Sequence, residues 1–282
     1  MNFGRAKTIL IYFFIVVNIF LIYNILSMSE NRVTVSEETL NDTVKILSSN
    51  GIELKEGIVL SGYENMPSLE LSNPIAKEEK FASLLCGENK KESISYKGEK
   101  GILTIYDDIF LFEITQNYRG KEIKSAMPSA KTSKTVLKFL SSLGIDTTYF
   151  VWSGTLDKGK GVYEVSFVQK YMSNEFFNSK IVCEVKKDGV YSVKGKYFNI
   201  DSASSLKKIK SPLEIFLSFS GEYGGKDKSI IINDITTGYY TEQNSNEFSV
   251  LPGLPCYKLT LRNGNIYFYD AFYGSFIAKR EF

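Results

Sequence analysis

The sequence predicts an α+β protein in which an N-terminal transmembrane helix precedes two units of antiparallel sheet packed with helices. Three observations predict this class. An uncharged apolar run opens the chain, a helix–glycine–strand pattern occurs twice, and alternating apolar segments bounded by turn residues follow each copy. The predicted division is an anchor over residues 1–28, a first domain over residues 29–127 and a second domain over residues 128–282.

The first element is the apolar run at residues 9–26, which has no charged side chain. At about 1.5 Å of rise per residue, a helix of this length nearly crosses a hydrocarbon core of about 30 Å. Arg5 and Lys7 precede the run, whereas the two opposite charges that follow it cancel. The sequence therefore predicts a single-pass cell-membrane protein with a cytoplasmic N-terminus and an extracytoplasmic remainder. A cleaved signal peptide is the alternative.

Asn18 places a polar amide near the middle of this run. In a membrane such an amide gains roughly 0.6–2 kcal/mol by bonding to a partner helix, and the alternative is a bond back to its own helix. At helical spacing it shares one face with three apolar side chains. The predicted transmembrane interaction stripe comprises Phe14, Asn18, Leu21 and Ile25.

A weak internal repeat organises the rest of the chain. The pattern Leu-Ser-Ser-x-Gly-Ile occurs at residues 47–52 and again at residues 140–145, and apolar residues at helical spacing precede both copies. Gly51 and Gly144 suit the left-handed conformation in which many helices end. We therefore predict helix, glycine stop and strand in each copy, with the junction between the two domains at Met127 and Pro128.

Turn residues indicate where the remaining helices and strands begin and end. Pro74 opens a helix that ends before Gly87, and Pro212 opens a second helix that reaches residue 220. The predicted strands are 94–96, 102–106, 109–114, 161–171, 181–187, 190–196, 230–236, 257–262 and 266–272. Asp188-Gly189 and Asn263-Gly264 are the dipeptides of tight hairpins, so they join adjacent strands in antiparallel pairs.

The amino-acid composition excludes several classes of function. The chain has no histidine, which excludes Ser-His-Asp catalysis, histidine-bearing zinc sites and histidine phosphotransfer within this chain. Beyond the anchor the 32 basic residues, the total of 34 less Arg5 and Lys7, equal the 32 acidic residues, which predicts no nucleic-acid partner. We predict a non-enzymatic protein without catalytic residues, metal or cofactor.

Three cysteines, Cys86, Cys183 and Cys256, are widely spaced and odd in number. This is a poor basis for a disulfide framework, so each is predicted to be a small buried residue. A Cys183–Cys256 bridge is the alternative.

Two aromatic pairs are candidates for interaction. In a strand, neighbouring side chains point to opposite faces, so one member of each pair is expected to face outward. The candidate residues for binding a partner or a glycan are Phe176, Phe177, Tyr239 and Tyr240. An ordinary core with incidental exposure is the alternative.

Three segments carry a family resemblance. They are the anchor at residues 5–10 and 18–21, the strand Tyr-Glu-Val-Ser-Phe-Val-Gln-Lys-Tyr at residues 163–171, and residues 232–240 with the closing hairpin to Gly274. With them the sequence resembles the YycH/YycI family, specifically its YycI-type regulators. The final hairpin also resembles a PepSY unit, which implies binding rather than catalysis.

This resemblance implies an accessory regulator of a two-component system. With a YycH-like sister protein, it would contact a WalK-type sensor histidine kinase through transmembrane helices and ectodomains, and would adjust signalling for cell-wall metabolism. An extracytoplasmic module that binds wall polymer or peptide is the alternative function.

Overall fold

A computed structural model describes residues 3–30, 36–60, 63–106, 109–120, 122, 130–225, 229–241 and 250–281. Within these residues the helices are α1 (Phe3–Glu30), α2 (Glu37–Ser49), α3 (Glu78–Cys86), α4 (Ala130–Ser142) and α5 (Pro212–Tyr223). Short 3-10 turns cover Pro74–Ala76 and Gln116–Tyr118.

The strands fall into an N-terminal and a C-terminal set. The first set is β1 (Ile52–Leu54), β2 (Leu69–Ser72), β3 (Asn89–Glu92), β4 (Ser95–Gly98), β5 (Gly101–Tyr106), β6 (Ile109–Ile114), β7 (Phe150–Gly159) and β8 (Val162–Tyr171). The second set is β9 (Asn174–Lys186), β10 (Gly189–Lys196), β11 (Asn199–Ala203), β12 (Ile230–Tyr240), β13 (Val250–Leu261), β14 (Ile266–Asp270) and β15 (Phe276–Arg280).

The predicted membrane anchor is wrong. The first helix forms, but among the described residues no helix is both long and apolar enough to cross a membrane. We predicted the single-pass topology and the cell-membrane localisation from this anchor, so these two predictions are wrong as well.

The predicted fold class is also wrong. Hydrogen bonds join the described strands into a 15-stranded mixed sheet, rather than two small antiparallel units behind an anchor. Two parallel pairings make the sheet mixed: β1 pairs with β12, and β12 pairs with β9. Turn dipeptides could not indicate these pairings, because a turn specifies only strands that follow each other in sequence.

The chain forms two compact units, each built from separated segments. The first contains residues 1–66, 206–236 and 257–282, and the second contains residues 67–205 and 237–256. The predicted junction at Met127 and Pro128 lies outside the described residues. In the first unit Asn50 Nδ2 donates to Ser220 Oγ at 2.9 Å, which ties the end of α2 to α5.

The second unit holds a large apolar core. Helices α3 and α4 contribute Phe81, Leu85, Val136 and Leu140 to this core. The sheet contributes side chains that alternate along its strands, and these include Phe110, Phe112, Val165, Phe167, Ile181 and Val193.

Many local predictions are confirmed. Strand β8 and the hairpin of β9 and β10 across Asp188-Gly189 form as predicted, as does the turn at Asn263-Gly264. Gly51 and Gly144 have φ angles of 73° and 89° after α2 and α4. The two copies of the repeat differ after the glycine, because β1 follows Gly51 at once, whereas β7 begins only at Phe150.

The three cysteines are buried thiols, as predicted, and no bridge joins Cys183 to Cys256.

Candidate functional site

A row of aromatic rings crosses three strands of the second unit. Tyr149, just before β7, lies 5.7 Å between centroids from Tyr171 at the end of β8. Tyr171 meets Tyr239 of β12 edge-on at 6.2 Å, and Tyr239 stacks on Phe176 of β9 at 5.1 Å. Such contacts add to the stability that burial of the rings supplies. We call these four residues the aromatic row.

Two of the four predicted aromatic candidates belong to this row. Phe176 and Tyr239 are fully buried, Tyr240 is 4% exposed, and Phe177 is half-buried. Phe177 is thus the more exposed member of the phenylalanine pair. Neither member of the tyrosine pair is exposed, because β12 is covered on both faces at this point.

The stripe predicted on α1 is partly described. Phe14 and Leu21 are exposed, and the side chain of Ile25 lies outside the described residues. Asn18 Nδ2 donates to Phe14 O at 2.8 Å. The amide donor is thus used within its own helix, which was the alternative for this residue.

The outer end of the aromatic row is a tight hairpin turn between β8 and β9. Tyr171 pairs with Asn174, and the two residues between them, Met172 and Ser173, have φ angles of 48° and 74°. Left-handed conformations at both central positions are those of a type I′ turn, which favours Asn-Gly. Met172 is 55% exposed, and the neighbouring Tyr171 and its ring partner Tyr149 are half-buried. We call these three residues the tip surface.

Gln169 fixes the base of this hairpin. Its Oε1 accepts from Ser179 Oγ at 2.8 Å and from Phe198 N at 3.2 Å, and its Nε2 donates to Phe198 O. Because the amide is buried, these bonds satisfy polar groups that water cannot reach. Gln169 and Tyr171 both belong to the Gln-Lys-Tyr segment that carries the family resemblance. Gln169 is therefore a structural residue in the interior, whereas Tyr171 belongs to the tip surface.

Tyr239 contributes rigidity rather than acid–base chemistry. Burial, and then the nearby Tyr171, raise the pKa of Tyr239 well above its ordinary value, so its hydroxyl stays protonated near neutral pH. Within the described residues, this hydroxyl has no hydrogen-bond partner.

A second polar cluster lies at the turn between β9 and β10. The Arg119 guanidinium stands 3.6 Å over the Tyr191 ring and 3.1 Å from an Asp188 carboxylate oxygen. A hydrogen bond from Tyr191, with help from Arg119, lowers the pKa of Asp188 although burial opposes the shift. Val190 N also donates to Arg119 O at 2.9 Å. The cluster fastens the segment after β6 to this hairpin.

A groove of about 450 Å³ lies beside α3. Two of its lining side chains, Tyr96 and Lys91, donate to Glu78 Oε2, at 3.0 and 3.3 Å. No group of three metal-ligating side chains occurs among the described residues.

Comparison with known proteins identifies no family. No protein-family profile matches the chain, and no curated protein matches it. The chain is similar to the crystal structure of an uncharacterized protein from Eubacterium rectale, with 9% sequence identity and a TM-score of 0.47. The similarity covers 85% of this chain and 98% of that chain. At this TM-score it supports no inference about function.

Sequence reasoning missed the tip surface. The available signal was Met-Ser between two segments of alternating apolar residues, a place where Asn-Gly is usual. Methionine and tyrosine are side chains that protein interfaces favour. Ring contacts in the aromatic row hold Tyr149 and Tyr171, so these two side chains would lose little freedom on binding another protein.

Proposed function

We propose that this chain is a non-enzymatic accessory regulator that acts by binding other proteins through its tip surface. The observation that carries the proposal is the exposed Met172, held in a left-handed turn directly after Tyr171. Non-glycine residues in this region cost about 1–3 kcal/mol each, and such strain clusters where function requires a fixed geometry. The resemblance to YycI-type regulators suggests a WalK-type sensor histidine kinase and a YycH-like sister protein as partners.

The test measures binding to, and autophosphorylation of, a purified full-length WalK-type kinase in nanodiscs, with and without the full chain. We expect the wild-type chain to bind and to change the rate of autophosphorylation. Met172→Asp should weaken binding by about tenfold or more, since it places a charge in an apolar contact.

The matched control is Ile94→Asp, which changes an apolar side chain that is 65% exposed on another turn. Equal loss in both variants would remove the tip surface from the contact. Retention of the chain on insoluble cell-wall polymer, with no kinase binding, would instead favour the alternative of a polymer-binding module.

A further inference from the structure

Strand β7 is a long edge strand that carries apolar side chains. Among the described strands it pairs only with β8. It has ten residues, and all except Phe150 are exposed or half-buried. Val151, Trp152 and Leu156 are 46%, 37% and 56% exposed.

The other edges of the described sheet are protected. Strand β3 has four residues, two of them lysines, and β1 has only three residues. Strand β11 is short and carries Asp201 and two neighbouring small residues, and β15 ends in Lys279 and Arg280. Short length and charge are the usual means by which proteins keep edges from pairing. Strand β7 has neither protection, because it is ten residues long and its residues 150–156 carry no charged side chain.

The backbone of β7 offers hydrogen bonds outward. Lys170 N donates to Tyr149 O at 2.8 Å, so these residues form a hydrogen-bonded pair with β8. Because such pairs alternate in an antiparallel ladder, Trp152 turns its N–H and C=O groups away from β8, and Phe150 turns its C=O away. The N–H of Phe150 donates to Thr147 O at 3.1 Å. Gly154 lies in the middle of the strand, and a Cβ there would meet no atom within 4 Å. A second backbone can therefore approach closely.

The charges around β7 are mainly positive. Residues 130–160 contain five lysines and two aspartates, whereas the whole chain has a net charge of +2. Lys134 and Lys138 are exposed on α4, which packs against β7. Lys158 is paired with Glu164 of β8 at 3.2 Å, so the positive charge near β7 comes mainly from α4. The carboxylates of Asp146 and Asp157 accept hydrogen bonds from their own loops, from Thr148 N and Gly159 N.

A second copy of this chain is a poor occupant of the edge. Bulges between Trp152 and Gly154 and between Asp157 and Gly159 interrupt the register. Self-pairing about a twofold axis would also bring two lysine-rich segments together, and like charges oppose such a contact.

We propose that β7 adds an extended, acidic strand of a partner protein to the sheet, with apolar side chains alternating with glutamate or aspartate. The partner's backbone would bond to the Phe150 carbonyl and to Trp152, and its apolar side chains would cover Trp152. This inference deepens the proposed function and rests on it, because Tyr149 of the tip surface leads directly into β7. Main-chain pairing of this kind is a recurrent mode of peptide recognition.

The test uses the single tryptophan of the chain, Trp152, as its reporter. The full chain is titrated with a capped ten-residue peptide of alternating valine and glutamate, which matches the length of β7. We expect a blue shift of the emission and slower amide exchange at Trp152. Affinity should fall by about tenfold or more when lysine replaces glutamate, or when the peptide is N-methylated throughout.

Leu156→Asp is the blocking variant, because it places a negative charge on the edge, which repels an acidic strand, and keeps the reporter. Its matched control is Ile94→Asp. Equal binding of the N-methylated and unmethylated peptides would overturn the proposal, as would no binding at about 1 mM peptide. Dimerisation through β7 in the absence of peptide would also overturn it.

The kinase assay separates the two proposals. If Met172→Asp abolishes kinase binding and Leu156→Asp leaves it unchanged, the edge proposal fails and the proposed function stands. If the peptide binds but the wild-type chain does not bind the kinase, the proposed function fails and the edge remains a site for an acidic strand.

Discussion

At the scale of single residues, the turn at Met172 and Ser173 combines strain with exposure. Both residues have positive φ angles, although neither is glycine or asparagine. Nearby, Thr237 Oγ1 donates to Asn174 Oδ1 at 2.9 Å, and Gln169 holds the interior of the same hairpin. The surrounding contacts thus maintain a backbone that the turn residues themselves do not favour.

Replacing Met172 by Asn and Ser173 by Gly should stabilise the protein, because Asn-Gly adopts the type I′ turn without that strain. We expect a gain of about 1–2 kcal/mol in the free energy of unfolding, measured with urea. Met172→Leu keeps both the strain and the apolar surface, so it should leave stability unchanged. An equal gain in this control would show that the turn geometry is not the cause.

At the scale of elements, helix ends decide where glycine is required. Gly144 follows α4 with a φ of 89°, and a Cβ there would lie 2.4 Å from Leu84 Cδ1. Gly221 lies inside α5, where a Cβ would meet no atom within 4 Å. The same substitution therefore has opposite consequences at these two positions.

Gly144→Ala should lower the free energy of unfolding by about 1–3 kcal/mol through backbone strain and the Leu84 contact. Gly221→Ala should raise it by up to about 1 kcal/mol, because alanine favours a helix interior. Thermal and urea unfolding of both variants measure the difference. If both changes moved stability in the same direction, the assigned conformation of Gly144 would be contradicted.

The start of α5 carries a capping box whose contribution depends on pH. Glu214 N bonds to Ser211 Oγ, and the Glu214 carboxylate accepts from Ser211 N at 2.8 Å and from Lys210 Nζ at 2.9 Å. Burial tends to raise the pKa of Glu214, but the bonds from Lys210 and Ser211 outweigh it and hold that pKa below 4.5. The charged form is therefore the one that stabilises the fold.

Glu214→Gln should cost about 0.5–1 kcal/mol at neutral pH. Since the folded pKa lies below the unfolded one, this contribution is complete above pH 4.5 and is lost as the pH falls through the lower folded value. Urea unfolding from pH 7 to pH 3 should show the wild type and the variant converging. Exposed Glu64→Gln is the control, and a difference that stays constant with pH would contradict the capping role.

At the scale of the whole molecule, the three thiols all belong to the second compact unit, within residues 67–205 and 237–256. Each is fully buried, and burial raises the pKa of Cys86 and Cys183 above the ordinary value for a thiol. Reaction with a thiol reagent therefore requires this unit to open.

In native buffer, a thiol reagent should label the wild-type chain slowly, whereas an exposed thiol introduced by Ser153→Cys should react at once. Labelling in urea should rise at the same concentration as the change in Trp152 fluorescence, since both report on the second unit. Rapid stoichiometric labelling of the native wild type would contradict the buried positions.

Local chemistry explains what sequence reasoning predicted correctly. Asp188-Gly189, Asn263-Gly264, Pro212, Gly51 and Gly144 act on their own backbone or on the next few residues, so the hairpins and helix ends follow from sequence alone. The buried cysteines were predicted as well, because their number and spacing made a disulfide framework improbable. The apolar run at residues 9–26 was assigned to a membrane on composition, and the structure corrected that assignment.

The sequence alone therefore determined most elements and their hairpins, because those depend on neighbours along the chain. The tertiary structure decided the parallel pairings of β12, the aromatic row and the edge position of β7. Phe176 and Tyr239 meet only after β9 and β12 pair, and nothing in either local sequence specifies that register. Whether Trp152 faces a neighbouring strand or an open edge likewise depends on which strands pair across the whole sheet.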